Sequence, residues 1–442
     1  MLETALRAAV GDAHVLTDDD ARAGYETDWT GRFSGRARAV VRPADTAEVV
    51  AVVRACAEHG AAIVPQGGNT GMVGAGVPRG GEVLVSLTRL GGLGEIDRGS
   101  LQVDVGAGVT LAALQAHARR AGLDAAVDFG ARDSATAGGL VATDAGGMRA
   151  LRHGTVRARV AGLEAVLADG GVIDRTGGLL KDNAGYDLPA LLVGSEGTLG
   201  LITRVRWRLV PLLTARVAAI VPLGSLGEAA GLLAELRPRL PSLEAADFFL
   251  DDGLQLVLDH LGIEAPVPRA PAYVVLECAA AEDPTPELAA ALGDADAVVA
   301  DSTAERERLW RLREAHPEAI AAAGVPHKLD VGVPPARLAA FADAARAAVT
   351  DVVPGARVIL FGHLGDGNVH VNVLGADDDR VDAAVLRVAA EHGGTISAEH
   401  GVGVAKAPHL GLVRSAAELR AMRAVKRALD PEGLLNPGAV LG

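Results

Sequence analysis

At 442 residues the chain is too long for one simple core, since single cores stop growing near ~250–300 residues, so two domains are expected. Hydrophobic residues make up 49% and charged residues 22%, the balance of a globular protein. The net charge of −14 excludes a general nucleic-acid binder, which needs a basic stripe, and means that an anionic substrate must meet its own local cations.

The N-terminus, MLETALRAAVGDAHVLTDDD, has early acids and no long apolar run, so no signal peptide is expected. No stretch approaches the roughly 20 apolar residues of a membrane span. TAEVVAVVRACAEHG (46–60) has helical apolar spacing and stops at Gly60. AAIVPQGG reads as a strand leaving into a loop. VLVSL, LQVDVGAGV, VAGLEAVLADGGVI and LGLITRVRWRLVP read as further strands, with a hairpin turn at ADGG (168–171). Cys56 and Cys278 lie far apart in no CxxC pattern, which predicts reduced, buried thiols in a cytosolic protein. Pro211 closes this region. Beyond ~215, strands such as ARVAAIVPL and AYVVLECAA alternate with helices, which predicts an open sheet covered on one face. The chain ends in an amphipathic helix and a Pro/Gly-bearing tail.

Three loops are rich in glycine and hydroxyl residues: PQGGNTGMVGAG (65–76), FGARDSATAGGLVATDAGGMRALRHG (129–154) and VGSEGTLGLIT (193–203). Glycine lets backbone N–H groups come close to an anion. The first loop is neither GxGxxG nor a P-loop, and alone it would pass for a tight turn. Three such loops in one domain suggest a groove with backbone walls for an extended ligand with a central diphosphate.

FGHLGDGNVHVN (361–372) carries two of the 12 histidines. A two-residue turn at Asp366-Gly367 would set His363 directly across from His370, with Cβ atoms about 4.5–5.5 Å apart. Asn368 and Asn372 share the face of His370 by parity, and Val369, Val371 and Val373 fall on the other face. Two histidines alone could be a surface pair. TISAEHGVG adds Glu399, and His363, His370 and Glu399 together make the three-ligand set of an open divalent site. Zinc fits best, and Mn²⁺ or Fe²⁺ suits the same ligands.

The order VVRPADTAEVVAVVRACAEHG, VPQGGNTGMVGAG, TAGGLVATDAGG, KDNAGYDLPALLVGSEGTLGLITRV resembles the FAD-binding domain of the vanillyl-alcohol oxidase, or p-cresol methylhydroxylase, superfamily. Within it the chain resembles the FAD-linked D-2-hydroxyacid dehydrogenases of D-2-hydroxyglutarate, D-lactate and glycolate, from about residue 20 to the C-terminus. The resemblance implies an α+β fold. A two-lobed FAD-binding domain spans 1–210. A substrate, or cap, domain spans 211–400, with a largely antiparallel sheet covered by helices and the metal site. A C-terminal segment (401–442) returns to the flavin.

The resemblance also implies site residues. Gln66, Gly67, Gly68, Asn69, Thr70 and Gly71 cradle the pyrophosphate. Ser134, Gly138, Gly139, Thr143, Gly146 and Gly147 line the flavin groove. Glu196, Gly200 and Ile202 lie by the adenine–ribose side, and Asn436 reaches the isoalloxazine. Neither His nor Cys stands in QGGNTG, so the FAD is expected to be non-covalent. His363, His370 and Glu399 are the matching metal ligands. Arg313, Lys328 and Asn372 bind substrate, with Tyr186 and Lys406 as further candidates. His400 is the expected general base, because the hydroxyl proton needs an acceptor of near-neutral pKa. Two departures are carboxylates: Asp144 stands where relatives often have Asn, and Asp133 where glycine is frequent. Either one near the flavin would disfavour its anionic reduced form. Pro317 replaces a hydroxyl residue common in relatives that prefer 2-hydroxyglutarate.

The expected reaction is oxidation of a D-2-hydroxy acid, with D-2-hydroxyglutarate ahead of D-lactate. Electrons go to an electron-transfer flavoprotein, quinone or cytochrome; a glycolate or 2-hydroxyacid oxidase using O₂ is the alternative. No nicotinamide fingerprint is present. The expected location is cytoplasmic or peripheral to the inner face of the membrane, and a homodimer is compatible with it.

Overall fold

The computed structural model describes residues 1–442. Residues 1–146, 154–212 and 399–442 form one compact unit; 147–153 and 213–398 form a second. The short segment 147–153, expected in the first domain, groups with the second unit.

The first unit holds β1 (Val15–Leu16), β2 (Ala39–Val41), β3 (Ile63–Gln66), β4 (Val83–Ser86), β5 (Gln102–Gly106), β6 (Leu123–Asp124), β7 (Val160–Val166), β8 (Val172–Asp174), β9 (Leu201–Arg208) and β10 (Val210–Pro211). They form two four-stranded sheets, β1-β2-β4-β3 and β5-β9-β7-β8, and the pair β10-β6. The helix Thr46–Glu58 shows why the first sheet is covered. Asp45 accepts the Glu48 N–H at 2.9 Å, and the Glu48 carboxylate accepts the Ala44 N–H at 2.7 Å, so both chain directions at the helix start are fixed. Val49, Val52, Val53 and Cys56 are fully buried at i, i+3, i+4 and i+7. Each such valine contributes about 1.5–3 kcal/mol at most. Both cysteines are buried and free, and burial pushes the Cys56 thiol up to about 12 and that of Cys278 to about 11. The C-terminal tail pairs with β3 through Ile63 N–H to Leu434 O (2.7 Å) and Asn436 N–H to Ile63 O (2.8 Å).

The second unit is built on one seven-stranded sheet of β11 (Ala215–Leu223), β12 (Leu243–Leu250), β13 (Ala272–Ala280), β14 (Val298–Ala300), β15 (His327–Gly332), β16 (Arg357–His363) and β17 (Asn368–Leu374). Its order is β14-β11-β13-β12-β16-β17-β15, antiparallel throughout. The expected single covered face is corrected. β12 is buried at every position from Leu243 to Phe249, without alternation. Helices Asp251–Leu261 and Thr303–Glu314 bury Phe249, Tyr273 and Phe361 on one face. Phe248, Val274 and Leu276, which point to the opposite face, are equally buried.

One buried ionic cluster holds 147–153 in this unit. Arg216 bonds to both Glu244 and Glu277, and Trp310 Nε1 donates to Glu277 at 2.6 Å. Arg149 and His153 approach Glu244 at 3.6 and 3.4 Å, and Arg152 donates to Ala279 O at 2.7 Å. Burial alone would raise the Glu244 carboxyl, but His153, Arg149 and Arg216 outweigh it and hold the group down at about 2. A carboxyl lowered on folding stabilises fully above its unfolded value, and that stability is lost as pH falls toward the folded one. Glu244→Gln is therefore expected to lower the stability of this unit by roughly 3 kcal/mol at pH 7. Denaturant melts of the variant and the parent should draw together as pH falls from 4.5 toward 2; a constant gap would refute the ionic origin.

Candidate active site

A cavity in the first unit is walled by the loop after β3, the stretch around 135–145, the turn at 196–202, and the consecutive side chains Glu399 and His400. Gln66, Gly67, Gly68, Asn69, Thr70, Gly71, Gly138, Gly139, Thr143, Glu196, Gly200 and Ile202 all line it. The polar side chains mostly shape the cradle. Gln66 Nε2 donates to Tyr25 O (2.9 Å) and Gly76 O (2.8 Å), Asn69 Nδ2 to Thr27 O (2.8 Å), and Thr143 Oγ1 to Gly139 O (3.0 Å). A Cβ on Gly68 would lie 1.8 Å from Ser134 O, so only glycine lets these two loops meet. Thr136 Oγ1, which a Cβ on Gly67 would approach to 2.4 Å, is buried without a hydrogen-bond partner in the cavity wall. An unspent hydroxyl in a glycine cradle is what a diphosphate-bearing ligand needs, so the residues fit FAD. Thr136 was not singled out from sequence, although its place just before the Ala-Gly-Gly of the second loop was a usable signal.

Four expected cofactor residues do not line the cavity. Ser134 is exposed and contributes its backbone to the contact with Gly68. Gly146 packs on Glu399: a Cβ there would sit 2.9 Å from Oε2. Gly147 belongs to the second unit. Asn436 spends its amide internally, donating to Glu196 O (2.7 Å) and Ala75 O (3.0 Å) and accepting from Arg79 (2.9 Å). The Glu196 carboxylate accepts the N–H groups of Val402 (2.7 Å) and Gly403 (2.8 Å), and so shapes the turn that follows His400. Burial pushes its carboxyl up to about 6, with the two N–H groups and Lys406 opposing. The carboxylate of Asp144 has a partner of its own in Arg157. Asp144 is left-handed (φ 51°), with Oδ1 accepting the Arg157 N–H and Oδ2 the Arg157 Nε, both at 2.9 Å. Asp133 is exposed and does not line the cavity. Tyr186, 89% exposed, does not line it either.

In the second unit, strand register creates a polar face. Asp247 pairs with His363, His370 with Phe361 on one side and Asp330 on the other, and Asn372 with Lys328. The expected turn is corrected. His363 opposes Asn368 and not His370, so the loop is the four residues Leu364–Gly367. The reason lies in the loop's own bonds. Gly367 N–H returns to His363 O and Gly365 N–H to Ala246 O, both at 3.1 Å, while Asp366 accepts the Asn368 N–H at 3.0 Å. The partner moves by two residues, an even number, so every side chain keeps its face. The two imidazoles become diagonal neighbours with ring centroids 5.4 Å apart.

His363 Nδ1 is 2.8 Å from Asp247 Oδ1. Asp330 Oδ1 accepts from Asn368 Nδ2 at 2.6 Å and lies 3.9 Å from His370 Nδ1; its Oδ2 accepts the Ala398 N–H at 3.0 Å. Arg313, 7% exposed, stands over Phe361 (4.6 Å) with Nε 2.9 Å from Asp247 Oδ2. Asn372 is buried and Lys328 half-buried, and burial lowers the Lys328 ammonium. Two neighbouring imidazoles, each beside a carboxylate, are a donor set that fits a divalent ion. Asp247 and Asp330 were not found in sequence. The usable signal was an acid inside an otherwise apolar strand, in EAADFFL and HKLDVG.

Comparison with known proteins places both units in known families. Residues 37–176 match the family model "FAD binding domain", and 212–440 match "FAD linked oxidases, C-terminal domain". The structure of p-cresol methylhydroxylase with substrate bound superposes with TM-score 0.77 at 17% identity, covering 100% of this chain and 96% of that one. An alkyldihydroxyacetonephosphate synthase superposes with TM-score 0.77 at 16% identity over 99% of this chain and 84% of that one. Fold and cradle thus define an FAD-linked oxidoreductase with the p-cresol methylhydroxylase fold. The chain is 37% identical to a D-2-hydroxyglutarate dehydrogenase of Xanthomonas citri pv. viticola, over 98% of this chain and 95% of the relative. It is 37% identical to the mitochondrial D-2-hydroxyglutarate dehydrogenase of Bos taurus, over 97% of this chain and 81% of the relative. It belongs to the FAD-linked D-2-hydroxyacid dehydrogenase family, and its activity is FAD-dependent oxidation of a 2-hydroxy acid.

Because a side chain at position 68 must displace the Ser134 carbonyl, Gly68→Ala is expected to lower the flavin-to-protein absorbance ratio of the purified enzyme several-fold. Flavin content equal to the parent would show that this contact does not shape the cradle.

Proposed function

We propose that the protein oxidises D-2-hydroxyglutarate to the 2-oxo diacid, with D-lactate as a poorer substrate. It holds dissociable FAD and a divalent ion, zinc before Mn²⁺ or Fe²⁺, through His363, His370 and Glu399. The observation that carries the reading is one sheet face bearing His363, His370, Asn372 and Lys328 side by side, with Arg313 above it. The names of the relatives support the substrate.

When bound, FAD supplies the hydride acceptor and the metal supplies a Lewis acid. The protein's own residues do the rest. His400 takes the hydroxyl proton as the Cα–H leaves with its electron pair, and a C=O double bond forms. Glu399 Oε1 lies 3.5 Å from His400 Nε2 and orients that ring. Lys328, Asn372 and the Nη groups of Arg313 bind carboxylate oxygens. Pro317 offers no hydroxyl, so the distal carboxylate relies on the cations. Electrons leave to a flavoprotein, quinone or cytochrome. No helix is long and apolar enough to cross a membrane, and a cytoplasmic location, peripheral to the membrane where the acceptor requires it, suits such a partner.

The decisive experiment is anaerobic reduction of the flavin by D- and L-2-hydroxy acids. Fast bleaching by D-2-hydroxyglutarate, none by the L isomer and none by NAD(P)H is expected; no bleaching by any 2-hydroxy acid would overturn the reading. Rapid reoxidation by O₂ would mark an oxidase instead. His400→Ala should lose about 10²–10⁴ in kcat with normal flavin content. His363→Ala should lower metal content and turnover together, and full turnover after chelation would remove the metal from the mechanism.

A further inference from the structure

Asp247 is 1% exposed in the interior of β12, and no group of the reaction as described above requires it. Its two oxygens face two different partners. Oδ1 is 2.8 Å from Nδ1 of His363, its direct cross-strand neighbour. Oδ2 is 2.9 Å from Nε of Arg313, which comes from the helix Thr303–Glu314 and is backed by the Phe361 ring. A buried carboxylate without partners is costly, and here the cost is offset by a hydrogen bond at Oδ1 and by the opposite charge of Arg313 beside Oδ2.

Resting on the function proposed above, we infer that Asp247 is the positioning residue that ties the metal-binding ring to the substrate-binding guanidinium. Its Oδ1 accepts the Nδ1–H, which fixes the His363 tautomer and makes Nε2 the ring atom that binds an ion. Its Oδ2 draws in the Arg313 guanidinium by charge, with Nε 2.9 Å away, so that the two terminal Nη groups present a fork for a carboxylate. A single side chain thereby couples affinity for the ion to affinity for the anion. Asp330 does not duplicate it, because its Oδ1 is engaged by Asn368 at 2.6 Å and stands 3.9 Å from His370.

The test compares the parent holoenzyme with Asp247→Asn, which keeps the shape but removes the charge. Zinc is titrated into chelator-stripped protein, and KM is measured for the hydroxy acid. The dissociation constant for zinc should rise about 10- to 100-fold. KM should rise roughly tenfold through loss of the oriented Arg313 fork. Flavin content should not change, because Asp247 lies outside the glycine cradle. A second measurement needs no folded variant at this position: ¹⁵N spectra of the metal-free parent, assigned with His363→Gln, should show His363 protonated at Nδ1. Unchanged zinc affinity and KM in a folded Asp247→Asn, or a His363 protonated at Nε2, overturns the role of Asp247 alone. A parent that binds no zinc and is not reduced by any 2-hydroxy acid overturns the proposed function, and this inference with it.

Discussion

The chemistry of the second unit depends on the register of four neighbouring strands. β12, β16, β17 and β15 set Asp247 beside His363, His370 between Phe361 and Asp330, and Asn372 beside Lys328. Cross-strand partners on one face are held about 4.5–5.5 Å apart by the backbone ladder, before any side chain chooses a rotamer. A slip of one residue would turn His363, His370 and Asn372 into the opposite apolar layer and bring Val369 and Val371 to the polar face. Burial on both faces makes such a slip costly, because β12 and β13 have no solvent side to accept a misplaced polar group.

The first unit solves a different problem. A diphosphate is bound best by backbone N–H groups, and these reach a ligand only where side chains are absent. Close packing at Gly68 and Gly146 removes the room for a Cβ in two places, one against a carbonyl and one against the Glu399 carboxylate. The polar residues around the cradle, Gln66 and Asn69 among them, are engaged with the chain itself, so they stiffen the loops. Glu196 belongs to the same group: its side chain faces the turn after His400, and its backbone is held by Asn436.

Much of this was legible in the residues. The three glycine loops, the His-rich hairpin and the acid-His pair at 399–400 are local patterns whose spacing reports directly on backbone form. What was misread was also local in sequence but decided elsewhere. Asp366-Gly367 is a favoured two-residue turn, yet Gly365 is drawn to Ala246 O in a neighbouring strand, and the loop lengthens to four residues. Asp144 stood out in the sequence as an added charge, and nothing near it in the chain revealed Arg157 as its partner.

By itself the sequence determined the class of protein: the order of its motifs, the helix and strand periods, the cradle glycines, and the candidate imidazoles and cations, all of which depend on neighbours within a few positions. Only the tertiary structure decided which acids serve them. Asp247 and His363 lie 116 residues apart, and Asn368 and Asp330 38 apart. Bonds across such separations are specified by sheet order and register, which emerge from the burial of the whole unit and from no single stretch of chain.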